Sequence, residues 1–227
     1  MATPELEQRA HIPEGDIHIA GMLELPEDAA GIVLFAHGSG SSRHSPRNNY
    51  VARVLREAGI GTLLMDLLTR EEDSAYQTRF DISLLTRRLL AATAWVKNHA
   101  ACRTLPIGYF GASTGAAAAL QGAAELGEKI AAVVSRGGRP DLARSDALSQ
   151  LISPTLLLVG GFDDVVIDLN KQAYAQMNCE KRLAIVPGAT HLFEEPGTLE
   201  EVAHQAATWF GYYFKSNQPQ GGIPSPH

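Results

Sequence analysis

The sequence predicts an α/β domain in which a mostly parallel sheet of about eight strands carries helices on both faces. Two observations lead to this fold class. From residue 31 onward, short apolar runs alternate with longer amphipathic stretches, a pattern typical of buried parallel strands separated by helices. Before residue 31, two segments alternate apolar and polar residues instead, which is typical of antiparallel strands with one solvated face.

The opening segments, residues 6–12 and 17–25, are separated by Gly15-Asp16, a pair that favours a hairpin turn. The predicted parallel strands follow at residues 32–36, 61–65, 107–110, 131–135, 155–159 and 183–186. The predicted helices lie near residues 47–58, 82–99, 114–126, 141–151, 169–177 and 199–214. The 227 residues contain no linker or internal repeat, so we expect one domain over residues 1–215. Residues 216–227 are rich in Pro, Gly and Gln and are predicted to be disordered.

The connections between these elements are short, so little or no cap over the sheet is expected. The best lid candidate is the segment 67–80, which mixes Leu67, Leu68 and Phe80 with several charged residues. The same composition is typical of a solvated loop that caps the following helix. The sequence leaves both interpretations open.

The composition excludes several classes of function. The chain is 45% hydrophobic and 19% charged with a net charge of −6, so no basic surface for nucleic acid or anionic lipid is expected. Cys102 and Cys179 have neither the number for a disulfide framework nor metal-ligand spacing. No apolar run is long enough to span a bilayer. These features predict a cytoplasmic protein with no metal, membrane or nucleic-acid partner, and they leave the oligomeric state open.

A candidate nucleophile lies where a predicted strand passes into a helix of small residues. Residues 105–110 are followed by Gly111-Ala112-Ser113-Thr114-Gly115 and an alanine-rich run. This order is typical of a nucleophile elbow, in which the two glycines allow close packing around a strained turn and the serine lies at its apex. The alternative is a serine that caps a helix after a glycine turn. The flanking strand and helix favour the elbow, with Ser113 as nucleophile.

The general base that activates such a serine is predicted to be His191. It follows the last predicted strand through a loop at the strand's carboxyl end, where open α/β sheets place their ligands. The neighbouring Leu192 and Phe193 are expected to shield the imidazole. The alternatives are His204, which falls within the last predicted helix, and His227, which falls in the tail.

The acid that orients the base is expected on the loop after the preceding strand, because the chain order of this architecture is Ser, acid, His. Asp163 and Asp164 both lie there, and spacing alone does not choose between them. Asp168 is a third possibility, although its position before residues 169–177 favours a role as the N-cap of that helix.

An oxyanion hole needs two backbone N–H donors near the nucleophile. Thr114 follows Ser113, and Ser39 lies in the glycine-rich loop 37–42 after an early strand, so their amides are the predicted donors. His37 in that loop is interpreted as a hydrogen-bonding residue behind it. The phosphate-binding glycine patterns are absent from this loop.

Candidate substrate-binding residues are Arg136, Leu67 and Phe193. Arg136 and Arg139 follow a predicted strand near the expected site, and their guanidinium groups suit an acidic part of a substrate. The same arginines serve equally well as surface or helix-capping charges. Basic residues near the oxyanion loop have the same two interpretations: Arg43, His44 and Arg47.

Four segments together resemble the α/β-hydrolase superfamily, specifically its small uncapped members grouped with dienelactone hydrolases. The resemblance extends from about residue 17 to residue 214, and its motifs are His37-Gly38-Ser39-Gly40, Gly111-Ala112-Ser113-Thr114-Gly115, Gly161-Phe162-Asp163-Asp164-Val165-Val166 and Gly188-Ala189-Thr190-His191. It implies the α/β-hydrolase fold, and it implies that Asp163 is the acid. Dienelactone hydrolases use a cysteine nucleophile, whereas this chain has Ser113.

The resemblance and the Ser-His-Asp order together predict an enzyme that cleaves carboxylic esters of small soluble substrates through an acyl-enzyme, without a cofactor. The same residues also suit a thioesterase, a lactone hydrolase or an amide hydrolase. A non-catalytic binding domain is the alternative from another class, since a fold alone does not determine function.

Overall fold

The computed structural model describes residues 6–216, and within them the chain forms a single sheet of eight strands. The strands are β1 (Leu6–Glu14), β2 (Ile17–Leu25), β3 (Ile32–Ala36), β4 (Gly61–Met65), β5 (Ile107–Ala112), β6 (Ile130–Arg136), β7 (Thr155–Gly160) and β8 (Lys181–Val186). The helices are α1 (Pro46–Glu57), α2 (Arg70–Ser74), α3 (Ile82–Asn98), α4 (Thr114–Leu126), α5 (Ala147–Gln150), α6 (Asp164–Gln176) and α7 (Thr198–Ser216).

The order of the strands across the sheet is β1-β2-β4-β3-β5-β6-β7-β8. The β1–β2 and β2–β4 pairs are antiparallel, and every pair from β4 to β8 is parallel. Gly15-Asp16 forms the predicted hairpin turn, in which Gly15 adopts a φ of 58° that favours glycine. The predicted fold class, a mostly parallel sheet of the α/β-hydrolase type, is confirmed.

Helices cover both faces of this sheet because the parallel strands are apolar on both sides. Successive side chains of a strand point to opposite faces, so Leu34 packs with α3 and α4 whereas Phe35 packs with α1 and α7. Both residues are at most 1% exposed. The sheet therefore separates two apolar cores, and the ends of its strands are free to carry the loops of a site.

Two predicted helices differ from the structure. Residues 141–151, predicted as one helix, form a 3₁₀ turn at Pro140–Leu142 and the four-residue α5. The predicted helix 169–177 begins earlier, at Asp164, so Asp168 lies inside α6 and is not its N-cap. Val165 and Val166 are residues that favour β-strands. In the structure they nevertheless lie in the first turn of α6, which begins in the loop after β7.

The lid candidate, residues 67–80, contains short helices rather than an open loop. Thr69 begins α2 with a capping box, in which its hydroxyl accepts from the Glu72 amide and the Glu72 carboxylate accepts from the Thr69 amide. A 3₁₀ turn at Tyr76–Phe80 follows, and the Asp81 carboxylate then caps α3 by accepting from Leu84 N at 2.9 Å.

At the C-terminus, α7 continues to Ser216, the first residue of the predicted disordered tail. The rest of that tail, residues 217–227, lies outside the described residues. No helix within residues 6–216 has both the length and the apolarity needed to cross a bilayer.

Candidate active site

The candidate site lies at the carboxyl ends of four parallel strands, β3, β5, β7 and β8. Each strand leads into a loop that carries one of the predicted functional residues: Ser39, Ser113, Asp163 and His191. In a parallel sheet these ends lie along one edge, so residues that are distant in the chain are brought together.

Ser113 is the single residue between β5 and α4, and its backbone is strained. Its φ of 51° and ψ of −120° are rare for a residue with a side chain. Two backbone hydrogen bonds, to the end of β6 and to the loop after it, hold this turn in place. Ser113 N donates to Arg136 O at 3.2 Å, and Ser113 O accepts from Arg139 N at 3.1 Å. This geometry is that of a nucleophile elbow.

The two glycines of the motif are required by close backbone approach. A Cβ at Gly111 would lie 2.4 Å from Ala116 Cα, and a Cβ at Gly115 would lie 2.1 Å from the Ala36 carbonyl oxygen. Any other residue at these positions would push α4 away from β5 and β3. The glycines thus fix the height of Ser113 above the sheet.

His191 and Asp163 form the shortest described contact between the loops. The His191 Nδ1–H donates to Asp163 Oδ2 at 2.6 Å, and the carboxylate is shielded, with 15% of its side chain exposed. This hydrogen bond assigns the proton to Nδ1 and leaves Nε2 as the nitrogen that can accept a proton. The imidazole lies against Gly137, where a Cβ would be 3.5 Å from two ring atoms.

The rival residues lie elsewhere. Asp164 begins α6, and Asp168 is paired at the surface with Lys171 at 3.4 Å. His204 is exposed on α7, away from Ser113, and His227 is outside the described residues. The structure therefore brings Asp163, rather than Asp164 or Asp168, to His191.

Ser113 and His191 line a common cavity of about 210 Å³. Ser39, Arg47 and Arg136 line it as well. The loop that carries Ser39 passes close to Ser113, since a Cβ at Gly38 would lie 3.1 Å from Ser113 Cβ. Among the described residues, Ser113 Oγ has no hydrogen-bond partner, a common condition of catalytic serines without substrate.

The predicted oxyanion donors are the amides of Thr114, which follows Ser113 in the chain, and of Ser39, which lines the cavity. The Thr114 amide is at the first position of α4, where an N–H has no acceptor within the helix. Ser39 is exposed in the loop after β3. His37 lies behind that loop, where its Nε2 accepts from Leu67 N at 2.9 Å and its Nδ1 donates to Gly38 O at 3.0 Å. Burial lowers the pKa of His37, so this imidazole is neutral and structural.

Arg136 ends β6 and reaches the cavity with a guanidinium that has no acceptor. The residue is 8% exposed, and neither Nε nor Nη1 has a hydrogen-bond partner among the described residues. The Phe193 ring lies 5.9 Å from its Cζ, within the range of a cation–π contact. Burial, and to a lesser extent the charge of Arg47, lower the pKa of Arg136 to about 10.

The other substrate-binding candidates are not at the cavity. Leu67 is fully buried in the core on the α3 and α4 face of the sheet. Phe193 is 2% exposed in the opposite core, beneath Arg136, so it does not face a substrate directly. The guanidinium of Arg139 is held by both carboxylate oxygens of Asp141, and Arg43 is paired with Asp66.

Sequence reasoning did not assign two residues of the cavity wall to the site: Ser45 and Asn48. Both of them, together with Arg47, lie at the N-cap or in the first turn of α1, which is the next helix along the chain after β3. The pair Ser45-Pro46 indicates where this helix starts, because a serine N-cap followed by proline is typical of the first turn of a helix.

The rim around Asp163 and His191 is apolar and exposed. Phe162 is 71% exposed and Val165 is 73% exposed, on either side of Asp163, and Leu192 follows His191 at 40% exposure. Within residues 6–216, no group of three His, Cys, Asp or Glu side chains is arranged to hold a metal ion.

Comparisons with known proteins agree with this fold. The profile of the dienelactone hydrolase family matches residues 19–215. The crystal structure of a dienelactone hydrolase from Anabaena variabilis is 54% identical, covers 92% of this chain and 98% of its own, and superposes with a TM-score of 0.89. The esterase domain of a Rhodothermus marinus protein, at 18% identity and a TM-score of 0.74, covers 92% and 99% and shares the fold.

A curated relative from Mycobacterium tuberculosis is provisionally named a phosphoribosyl transferase. It is 53% identical over 218 residues, which are 96% of this chain and 49% of the relative. The chain therefore spans about half the length of the curated relatives that it matches.

Proposed function

The chain belongs to the dienelactone hydrolase family and is a hydrolase, and from that premise we propose that it cleaves carboxylic esters of small substrates through an acyl-enzyme on Ser113. One observation carries the proposal. The imidazole that is hydrogen-bonded to Asp163 at 2.6 Å lines the same cavity as the serine of a strained elbow. A nucleophile, a base and an orienting acid are the set that acyl transfer requires.

In the proposed acylation, Ser113 Oγ attacks the ester carbonyl carbon while His191 Nε2 takes the hydroxyl proton. The carbonyl π electrons move to the oxygen, and the resulting oxyanion is stabilised by the Ser39 and Thr114 amides. Each such donor contributes about 2.7–4 kcal/mol to transition-state stabilisation in hydrolases of this kind. Collapse of the intermediate breaks the bond to the alcohol oxygen, which leaves with the proton from His191.

In the proposed deacylation, a water molecule replaces the alcohol. His191 takes a proton from this water, the hydroxide oxygen attacks the acyl carbon, and collapse returns the proton to Ser113 Oγ. Asp163 holds the Nδ1 proton throughout, which keeps Nε2 directed at the reacting oxygen and stabilises the imidazolium. No further group is needed to balance the reaction.

The cavity supports small substrates. Its volume of about 210 Å³ is below the range of about 300–1,000 Å³ that is usual for drug-sized ligands. The segment between β4 and α3 contains only short helices and adds no separate domain above Ser113. We therefore expect short acyl chains to react faster than long ones.

The name of the Mycobacterium tuberculosis relative does not transfer to this chain by similarity alone, because the match covers 49% of that protein. The family profile spans most of the present chain, and its description is that of a hydrolase. Ester hydrolysis is accordingly the function that we propose for the residues described here.

Replacing Ser113 with alanine tests the proposal. The variant should lose about 10⁴-fold or more in kcat for p-nitrophenyl butyrate, as triad serines do, and should no longer be labelled by a fluorophosphonate probe. Ser149→Ala is the matched control, since Ser149 is an exposed serine on α5, far along the chain from the elbow. Turnover and labelling that persist in Ser113→Ala would refute the assignment.

A further inference from the structure

We propose that Asn170, on the buried face of α6, is a positioning residue that holds the proposed nucleophile, base and acid at their working distances. The inference rests on the proposed function for the roles of Ser113, His191 and Asp163. The evidence for it is a set of buried contacts that join the loop after β6 to the loops that carry these three residues.

Asn170 is a polar side chain on a helix face that is otherwise apolar. It is fully buried, and the other buried residues of α6 are Val166 and Ala173. Its Oδ1 has no hydrogen-bond partner among the described residues. A buried amide with an unpaired acceptor costs stability relative to an apolar side chain of similar shape. The contribution of Asn170 is therefore expected to lie in the hydrogen bonds that its Nδ2 donates.

One of these hydrogen bonds joins α6 to the loop after β6. Asn170 Nδ2 donates to the Gly138 carbonyl oxygen at 3.0 Å, and also to the Val166 carbonyl oxygen, one turn earlier in α6, at 2.8 Å. Residues 137 and 138 are both buried glycines, so this part of the loop has no side chains that could anchor it by packing. Asn170 supplies an anchor from outside the loop.

The loop after β6 contacts both the proposed base and the elbow. Gly137 lies against His191, since a Cβ at Gly137 would be 3.2 Å from the His191 carbonyl oxygen and 3.5 Å from the ring Nδ1. Arg139 N donates to Ser113 O at 3.1 Å. Gly138 lies between these two contacts in the chain. A shift of Gly138 would therefore disturb the base and the nucleophile together.

The helix that carries Asn170 also leads to the proposed acid. Asp163 is the N-cap of α6, and Asn170 follows it after two helical turns, on the same side of the helix. Asp163 in turn accepts from His191 Nδ1 at 2.6 Å. The contacts thus form a closed ring that runs from Asp163 to His191, through Gly137 and Gly138 to Asn170, and back along α6. Hydrogen bonds of this supporting kind keep a site within its productive geometry.

An apolar replacement of similar shape tests this role. Asn170→Leu removes the Nδ2 donor, which leaves the buried Gly138 carbonyl without that partner and allows the loop to shift. We expect kcat for p-nitrophenyl butyrate to fall by about 10²-fold, the cost of a displacement of about 1 Å at the reacting groups. KM should change little, because Asn170 does not line the cavity that holds Ser113.

Thr155→Val is the matched control. Thr155 is also fully buried, and its hydroxyl also donates to a backbone carbonyl, that of Ser153 at 2.9 Å. Because Thr155 begins β7, this bond lies at the amino end of the strand, whereas the site lies at the carboxyl ends. The control should keep the wild-type kcat at a temperature at which both variants are folded. An equal loss of kcat in both variants would assign the effect to general destabilisation and overturn the proposal.

A spectroscopic measurement tests the same role without any substrate. The His191 Nδ1 proton, which is hydrogen-bonded to Asp163, should give a downfield proton resonance that is absent from His191→Ala. We expect this resonance to shift or broaden in Asn170→Leu and to stay unchanged in Thr155→Val. If the wild type hydrolyses no ester but the resonance responds in this way, the proposed function fails and the positioning role remains. If esters are hydrolysed and Asn170→Leu matches the wild type in kcat and in this resonance, the positioning role is refuted and the proposed function remains.

If Asn170→Leu does not fold, Asn170→Asp serves in its place. Its ionised carboxylate has nearly the same shape as the amide but donates no proton to Gly138 O. Burial raises the pKa of such a carboxyl, and the protonated form can donate to this carbonyl oxygen. The kcat of the variant relative to that of the wild type should therefore rise as the pH is lowered. A ratio that does not change with pH would refute the positioning role.

Discussion

Gly115→Ala is the sharpest test of the elbow because it adds one methyl group where two backbone segments meet. The new Cβ would lie 2.1 Å from the Ala36 carbonyl oxygen and 2.5 Å from that of His37. Ordinary van der Waals contact begins near 3.4 Å, so α4 and the end of β3 must separate by more than 1 Å. Neither neighbour can rotate aside, since both contacts are with backbone atoms.

Two losses should follow from this displacement. Overpacking of this kind costs about 1–3 kcal/mol of the free energy of unfolding, which lowers the melting temperature by about 2–4 °C per kcal/mol in a protein of this size. Ser113 lies two residues before the new methyl group and must move with α4. A nucleophile misplaced by about 1 Å costs about 10²-fold in kcat/KM.

Gly122→Ala is the matched control in the same helix. A Cβ at Gly122 would make an ordinary contact, 3.4 Å from Tyr109 Cε2, and alanine is favoured over glycine inside a helix by about 0.5–1 kcal/mol. This variant should therefore melt at or above the wild-type temperature. Thermal unfolding by circular dichroism and kcat/KM for p-nitrophenyl butyrate measure both effects. Equal melting temperatures and activities for the two variants would refute the reasoning about close approach at the elbow.

Two further predictions concern the site's acid and its structural histidine. Asp163→Asn should lower kcat by about 10⁴-fold, because an uncharged amide, whose NH2 can donate to Nδ1, neither fixes the His191 tautomer nor stabilises the imidazolium; a larger loss in Asp164→Asn would contradict the choice of acid. For His37, burial lowers the pKa below the ordinary value of about 6.5, so the unfolded chain takes up the proton first as the pH falls. The free energy of unfolding, measured with urea, should fall below about pH 6.5. This fall should be smaller in His37→Gln than in the wild type, and equal pH profiles for the two proteins would contradict it.

The elbow could be predicted because its determinants are local. Gly111, Ser113 and Gly115 lie within five residues, next to a strand and a helix whose patterns are strong. The loops of Asp163 and His191 could be predicted for a related reason, since parallel strands bring their carboxyl ends together whatever the details of packing. The choice between Asp163 and Asp164 required side-chain direction, which periodicity does not give.

The surroundings of the site could not be predicted in the same way. Leu67 looked like a lid residue because it is apolar beside charged residues, but its burial depends on a core built by α3 and α4. The predicted helix 141–151 failed because Asp146 and Ser145 favour turns over a helix interior. The lack of a partner for Arg136 is a property of loops distant in sequence, and no local pattern encodes it.

The apolar rim at Phe162, Val165 and Leu192 has a consequence for how this enzyme can change. These side chains adjoin Asp163 and His191 yet are 71%, 73% and 40% exposed, and they belong to neither core. Exposed positions of this kind usually tolerate substitution within about 0.5 kcal/mol. Selection acting on the rim can therefore change which substrates enter the cavity while the sheet and the elbow stay fixed, so substrate range and stability are free to evolve separately.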